Sequence, residues 1–221
     1  GGEIVGLAGV SGNGQSALAA VLSGLARPQR GTLRLDGEAL CTASPAAFIA
    51  AGIGRIPEDR HHDGIVAAMT VAENLILERL DAADVQRAGF LRGGAVRAHA
   101  EALVRDYDVR GPGVDAPVRL LSGGNIQKLI LARVLEQAPR FILANQPTRG
   151  LDVGAAAEVG RRLLAARDRG AGVLLIAEDL DEILALADRI LVIRDGTITA
   201  AGPSDAVDRG ALGLMLAGRA A

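Results

Sequence analysis

Gly9-Val10-Ser11-Gly12-Asn13-Gly14-Gln15-Ser16 is the stretch on which the reading of this chain turns. It follows the apolar run Glu3-Ile4-Val5-Gly6-Leu7-Ala8 and precedes a helix-like stretch from Ala17 to Leu25. Strand, glycine loop and helix in that order form the setting of a phosphate-binding loop. Glycines let backbone N–H groups close around phosphate oxygens, and the helix N-terminus adds positive potential. Such a loop carries Lys before its final Ser or Thr. Here that position is Gln15, and the one lysine of the sequence, Lys128, is far along the chain. The motif reads as a nucleotide cradle without its main fixed charge. Alone, Gly12 and Gly14 would fit an ordinary strand-to-helix turn equally well.

A second motif is Leu121-Ser122-Gly123-Gly124-Asn125-Ile126-Gln127-Lys128. An apolar helical pattern follows at Ile126, Leu129, Ile130, Arg133 and Val134. The third is Phe141-Ile142-Leu143-Ala144-Asn145-Gln146-Pro147-Thr148-Arg149-Gly150-Leu151-Asp152, an apolar strand ending in a Pro-Thr turn and a Leu-Asp pair. Glycine loop, LSGG and PTRGLD, in this order and spacing, resemble the ATP-binding-cassette (ABC) ATPase domain over almost the whole chain. Ser122-Gly123-Gly124 also serves as a helix N-cap on its own terms.

Composition narrows the function classes. At 221 residues and 49% hydrophobic, the chain has material for one substantial core in a single domain. A net charge of −2 gives no electrostatic footprint for nucleic acid, and 2% aromatic residues disfavour base-stacking modules. Cys41 is alone, so neither a disulfide framework nor a cysteine-rich metal site is expected, and a reducing compartment is the default. No apolar run approaches the roughly 18 residues that span a bilayer. A membrane role is therefore expected to run through a partner. The excess of Arg over Lys reads as base composition. His61-His62-Asp63 lacks metal-ligand spacing and reads as surface. His99 reads as a solvated helix face, Tyr107 and Phe48 as packing, and Arg161-Arg162 and Arg167-Asp168-Arg169 as solvated helix charges.

Along the chain, Thr32–Asp36 reads as a strand ending in the Asp36-Gly37 turn, and Ser44 caps a helix over Pro45–Ala51. Ile53–Ile56 reads as a strand, Glu58–Gly64 as a polar loop, and Thr70–Leu77 and Gly94–Tyr107 as helices. Gly111-Pro112-Gly113 punctuates before LSGG. Then come helix Ala155–Arg169, strand Val173–Ala177, helix Leu180–Ala187 and strand Arg189–Arg194, with a hairpin at Asp195-Gly196 and helix from Ser204 onward. That alternation predicts an α/β fold with a mainly parallel sheet. The resemblance makes it a P-loop NTPase ABC cassette over residues 1–221, with a helical subdomain at about 65–138 inserted in the core. It also implies that strands preceding Gly1 are missing and that the chain is a segment of a longer polypeptide.

The resemblance assigns roles position by position. Gly9, Ser11, Gly12, Asn13, Gly14, Gln15 and Ser16 form the ATP cradle, with Gln15 where a lysine bridges the β- and γ-phosphates. Ser16 remains as a Mg²⁺ ligand, with Glu58 as a second candidate. Glu58 stands where the family has a glutamine, Asn145 where it has an aspartate, Gln146 for the glutamate that polarises water, and Glu178 for a histidine. Relative to the family pattern the site is one unit more negative, so weak nucleotide binding is compatible with it. A general base contributes about 10²–10⁴ in rate. Losing it together with the charge clamp removes useful hydrolysis. Ser122, Gly123 and Gly124, with Leu151 and Asp152 of the D-loop, match the family and would act in trans on ATP bound to a partner cassette.

Pro57-Glu58-Asp59-Arg60, LSGGN and PTRGLDVG resemble simple-sugar and nucleoside importers, in which two cassettes are fused and the second is degenerate. That implies an active cassette as partner, transmembrane permease subunits, an indirect link to a periplasmic or lipoprotein substrate-binding protein, and a peripheral place on the cytoplasmic face of the membrane. The competing readings are a non-transport ABC ATPase of the DNA-repair type, a nucleotide-binding regulatory domain and a small-molecule P-loop kinase. The first inserts a long coiled coil, whereas only about sixty residues without heptads separate Glu58 from LSGG here. The kinase needs the loop lysine and has no use for LSGG.

Overall fold

The structure is a computed structural model that describes residues 1–41 and 43–217. In chain order, the first half contains β1 (Glu3–Ala8), α1 (Gln15–Leu22), β2 (Arg34–Leu35), β3 (Glu38–Ala39), α2 (Pro45–Ala50), β4 (Ile53–Ile56), α3 (Val71–Ile76), β5 (Gln86–Arg87), β6 (Phe90–Leu91) and α4 (Gly93–Asp106). The second contains α5 (Gly123–Leu135), β7 (Phe141–Asn145), α6 (Val153–Asp168), β8 (Gly172–Ala177), α7 (Leu180–Leu186), β9 (Arg189–Arg194), β10 (Thr197–Pro203) and α8 (Arg209–Leu216).

Alternating side chains on the strands build the layers. Ile142 and Ala144 of β7 and Val173 and Leu175 of β8 join the large core under α5 and α6. Leu143 and Ile176, one residue out of phase, join Leu7, Ile193 and Ala19 in a smaller core under α1. A sheet buried on both sides this way has helices on both faces. Its order is β10-β9-β1-β8-β7-β4, parallel from β9 to β4, with β10 antiparallel on the edge. Residues 57–140 add no strand to this sheet. They carry α3, the β5–β6 hairpin, α4 and α5, with α3 packed on α4 and α5.

Several sequence expectations need correction. α1 starts at Gln15 and stops at Leu22, because Gly24 turns left-handed at φ 70 and the N–H of Leu25 folds back to the Ala20 carbonyl. The strand expected over Thr32–Asp36 shortens to β2, paired with β3 through Asp36-Gly37, both at positive φ, and off the main sheet. The β5–β6 hairpin was not legible between the two expected helices. After Ser204 comes a single 3-10 turn, and helix resumes only at Arg209, capped by Asp208; the last four residues of the expected helix lie outside the described residues. His99 is half-buried against the Arg79 guanidinium, 3.1 Å away, because α3 packs on α4 there. Arg162 is half-buried with its guanidinium 4.0 Å from the centre of the Tyr107 ring, and Arg167 ties α6 to Asp188 at 2.9 Å.

Arg133, placed in the sequence within an apolar stripe, lies buried in the core. Its guanidinium donates to the carbonyls of Gly64 (2.8 Å) and Asn74 (3.3 Å), and Nε lies 3.0 Å from the Glu78 carboxylate. Asn74 is also wholly buried; it exchanges hydrogen bonds with the Val66 backbone and donates to the Thr70 carbonyl. These two polar side chains satisfy backbone groups of Gly64, Val66 and Thr70 in the irregular segment before α3, and the Asn74 carbonyl within it. Thr70 and Glu73 form a capping box that starts α3.

Candidate nucleotide and signature sites

Parallel strands deliver their C-terminal ends to one edge of a sheet, and open α/β sheets bind ligands at that edge. At that edge β1 runs into the glycine loop, β7 into Asn145-Gln146, β8 into Glu178, and β4 into Pro57-Glu58. The register places Ala8 beside Ala177 and Asn145 beside Ile176, so the loop, Gln146 and Glu178 become neighbours. Gly14 takes φ 109, which the strand-to-helix turn requires, and no side chain caps the first turn of α1. The backbone therefore offers a phosphate its helix N-terminus.

The side chains do something else. Gln15, 8% exposed, folds inward and donates from Nε2 to the Val10 carbonyl at 3.0 Å. Gly9 leaves the space for it, since a side chain there would begin 2.3 Å from Nε2. Asn13 donates to the same carbonyl at 3.0 Å and accepts from Asp195 N at 3.0 Å. Ser11 donates its hydroxyl proton to Glu178, which holds that carboxylate at the mouth of the loop. Gln146 stands at φ 50, its N–H on the Ile176 carbonyl and its Oε1 3.4 Å from Glu178 N. Its side chain is thus turned toward β8.

Ser16, Glu58 and Asn145 line one cleft of about 580 Å³ with Arg60, Arg149 and Gly150. Glu58 is ion-paired to Arg149 across that cleft. The loop backbone fits a phosphate group. Residues 9–16 carry no cationic side chain, Glu58 is engaged by Arg149, and Ser11 holds the Glu178 carboxylate at the mouth. His62 pairs with Asp63 at 2.7 Å, and no cluster of three metal-ligating side chains occurs among the described residues.

The second site lies at the N-terminus of α5. Ser122 is the N-cap and is exposed. Its Oγ accepts from Asn125 Nδ2 at 2.9 Å, so its own proton is left to donate outward. Asn125 is fixed in turn by the N–H of Arg110 at 2.7 Å. The helix starts at Gly123, three residues before the expected Ile126, so the glycines belong to its first turn. Ser122 and Gly124 open onto a cleft of about 710 Å³ with Lys128, Arg110, Arg161 and Asp152. Asp108 accepts from Lys128 at 2.9 Å, and that contact, ahead of Arg110, holds its carboxyl below the ordinary range. Asp152 caps α6 by accepting from Ala155 N at 2.9 Å, while Leu151 is half-buried beside it.

Sequence reasoning missed the ties between these sites. Gln127, buried in α5, donates to the Pro147 carbonyl at 2.7 Å and joins the signature helix to the turn after β7. Thr148 donates to Glu182 at 2.7 Å. Arg60 donates to the carbonyls of Arg149 (2.6 Å) and Gly150 (3.3 Å). A Gln on the apolar stripe of a helix was the one visible signal.

Comparison with known proteins shows what the chain as a whole is similar to. The family model described as ABC transporter matches residues 1–149. The nucleoside import ATP-binding protein NupA of Lactococcus lactis subsp. cremoris is 42% identical over 217 residues, covering 98% of this chain and 43% of the relative. The glucose import ATP-binding protein TsgD13 of Haloferax volcanii is 45% identical over 219 residues, covering 98% of this chain and 40% of the relative. Among solved structures, a dimeric ATP-binding cassette in a post-hydrolysis state with ADP and Pi superposes with a TM-score of 0.74 at 23% identity, covering 90% of this chain and 85% of that one. That last likeness bears on the fold.

Proposed function

The chain belongs to the ABC transporter family, and from that premise we propose that it is the ATP-binding cassette of an importer for nucleosides or simple sugars. In this reading its own nucleotide site is weakened, and its signature face completes the site of a partner cassette. One contrast carries the proposal. The glycine loop engages its side chains within the protein, Gln15 with the Val10 carbonyl and Ser11 with Glu178 after β8, while Ser122 stands exposed with its proton free to donate.

The relatives named above support the importer assignment. This chain spans 43% and 40% of their lengths, which leaves room in each for a second domain of this size and supports a fused, active cassette as partner. Bound ATP would supply the phosphoanhydride whose cleavage drives transport. Around it, Ser122 Oγ–H and the N–H groups of the first α5 turn would hold the phosphate bound to the partner, and Lys128 and Arg110 would supply positive potential to the cleft. Leu151 and Asp152 would form the D-loop against that partner.

Residues 65–138 form the helical subdomain in this reading, and the loop Glu58–Gly64 with Thr70–Tyr107 forms the surface that docks the permease subunits. Asp63, paired with Arg55 at 3.1 Å, is one of the exposed charges of that loop, with Asp59. No helix among the described residues is long and apolar enough to cross a membrane, so docking on permease subunits at the cytoplasmic face is the proposed link to transport. The substrate-binding protein would act through the permease.

The test is the assembled transporter with Asp63→Arg. Substrate uptake is expected to fall while the ATPase of the complex persists. Normal uptake with normal ATPase would remove the docking assignment.

A further inference from the structure

Two arginines cross between the same two segments in opposite directions. Arg60, in the loop after β4, donates Nη1 to the Arg149 carbonyl (2.6 Å) and Nη2 to the Gly150 carbonyl (3.3 Å). Arg149, in the turn after β7, returns its guanidinium to Glu58. Arg60 also reaches a third segment. Its guanidinium atoms lie 3.1–3.5 Å from the point where a side chain on Gly123 would begin. A side chain there would push the guanidinium back by a few tenths of an ångström, and Gly123 is the first residue of α5.

The placement is electrostatically unfavourable on one side. A cation beside a helix N-terminus opposes the positive end of the helix dipole. Arg60 Nε is buried without a partner among the described residues, which adds the cost of an unmet donor. Two backbone carbonyls in fork geometry offset these terms, as a planar guanidinium allows and an ammonium does not.

We propose that Arg60 is a positioning residue that sets the start of α5, and with it Ser122, relative to the Glu58–Gly64 loop and the Arg149-Gly150 turn. Ser122 is fixed from its other side by Asn125 and Arg110. Arg60 adds a constraint from the loop side, beside the one Gln127 makes from α5 to the Pro147 carbonyl. A push on the loop is thereby passed through Arg60 to the signature. The proposal rests on the reading that Ser122 and Gly124 act on nucleotide held by a partner cassette.

The experiment uses the whole transporter, with ATP as the varied substrate. Arg60→Met removes the fork, and Arg60→Lys keeps charge and stem while losing the two-carbonyl geometry. Displacing the signature should lower kcat at least about tenfold in both variants, since misplacement of this order is costly to chemistry. KM for ATP should stay within about twofold, because the partner's phosphate loop holds the nucleotide. Arg60→Lys serves as the folding control through its thermal midpoint. Gly124→Asp in the same complex separates the two ideas. If Gly124→Asp leaves the ATPase intact, the trans-acting reading itself fails. If Gly124→Asp abolishes it while either Arg60 variant keeps kcat within twofold, Arg60 does not position the signature.

Discussion

Gln15 Nε2 donates to the carbonyl of Val10 at 3.0 Å, so the glycine loop closes on its own side chain. A lysine there would aim a charge outward at phosphate; the amide turns in and leaves its Oε1 buried without a partner among the described residues. In the proposed reading, Gln15, Gln146 and Glu178 stand where the clamp, the water-polarising carboxylate and the histidine contact would be. The isolated chain is therefore expected to release phosphate from ATP negligibly. Gln146→Glu alone should not restore turnover, because the loop still lacks its cation. A steady-state rate comparable to an intact ABC ATPase would defeat this.

Damage should hurt more at the signature than at the loop. If Gly124 faces a phosphate held by a partner cassette, as proposed, Gly124→Asp would set a carboxylate against it. In the assembled complex it is expected to abolish ATPase, while Gln15→Ala, which removes a neutral internal contact, leaves most of it. The two rates measured side by side decide the matter. A larger loss from Gln15→Ala reverses the assignment of roles.

Arg133 and Glu78 face each other at 3.0 Å with side chains 6% and 17% exposed. Burial pulls the Arg133 pKa downward against the upward pull of Glu78, yet a guanidinium keeps its charge. Arg133→Met leaves Glu78 and the carbonyls of Gly64 and Asn74 without their partner. A loss of about 3–5 kcal/mol in urea unfolding is expected. A loss below about 1 kcal/mol, the scale of an exposed pair, would contradict it.

Glu182 shows the opposite electrostatics. Burial raises its carboxyl above the ordinary value of 4.5, and the Thr148 hydroxyl offsets only part of that. A carboxyl raised in the folded state binds its proton more tightly there than in the unfolded chain. Stability is therefore full below 4.5 and falls as pH climbs toward the folded value. Glu182→Gln removes this term. Its unfolding free energy relative to wild type should be larger at pH 7 than at pH 4, that is, the variant gains stability on wild type as pH rises, by urea titration at both. A gap that does not change with pH overturns the assignment.

Thr70 accepts from Glu73 N at 3.1 Å, and Glu73 accepts from Thr70 N at 2.7 Å. Thr70→Ala should cost about 1 kcal/mol. Hydrogen exchange should rise first in residues 70–77, and exchange unchanged there would remove the cap from the account.

Much of this architecture was legible in order along the chain. Strand periodicity in Phe141–Asn145 and Val173–Ala177, Ser44 before Pro45, and Asp-Gly at 195–196 are local signals, and the structure places those elements within a residue or two of where they read. Short pieces were harder. Two-residue strands such as β5 and β6 exist only because a partner strand lies opposite, which no local pattern announces.

The sequence by itself determined the family, the strand–loop–helix order and which residue types stand at each chemical position, because those depend on neighbours in the chain. Only the tertiary structure decided what those side chains do. Whether Glu58 is free or taken by Arg149, whether Gln15 faces outward or Val10, and whether Arg133 meets solvent or Glu78 are questions about partners as many as 91 residues away. Hydrogen bonds and ion pairs act over a few ångströms of space, and the fold alone brings such distant residues within that range.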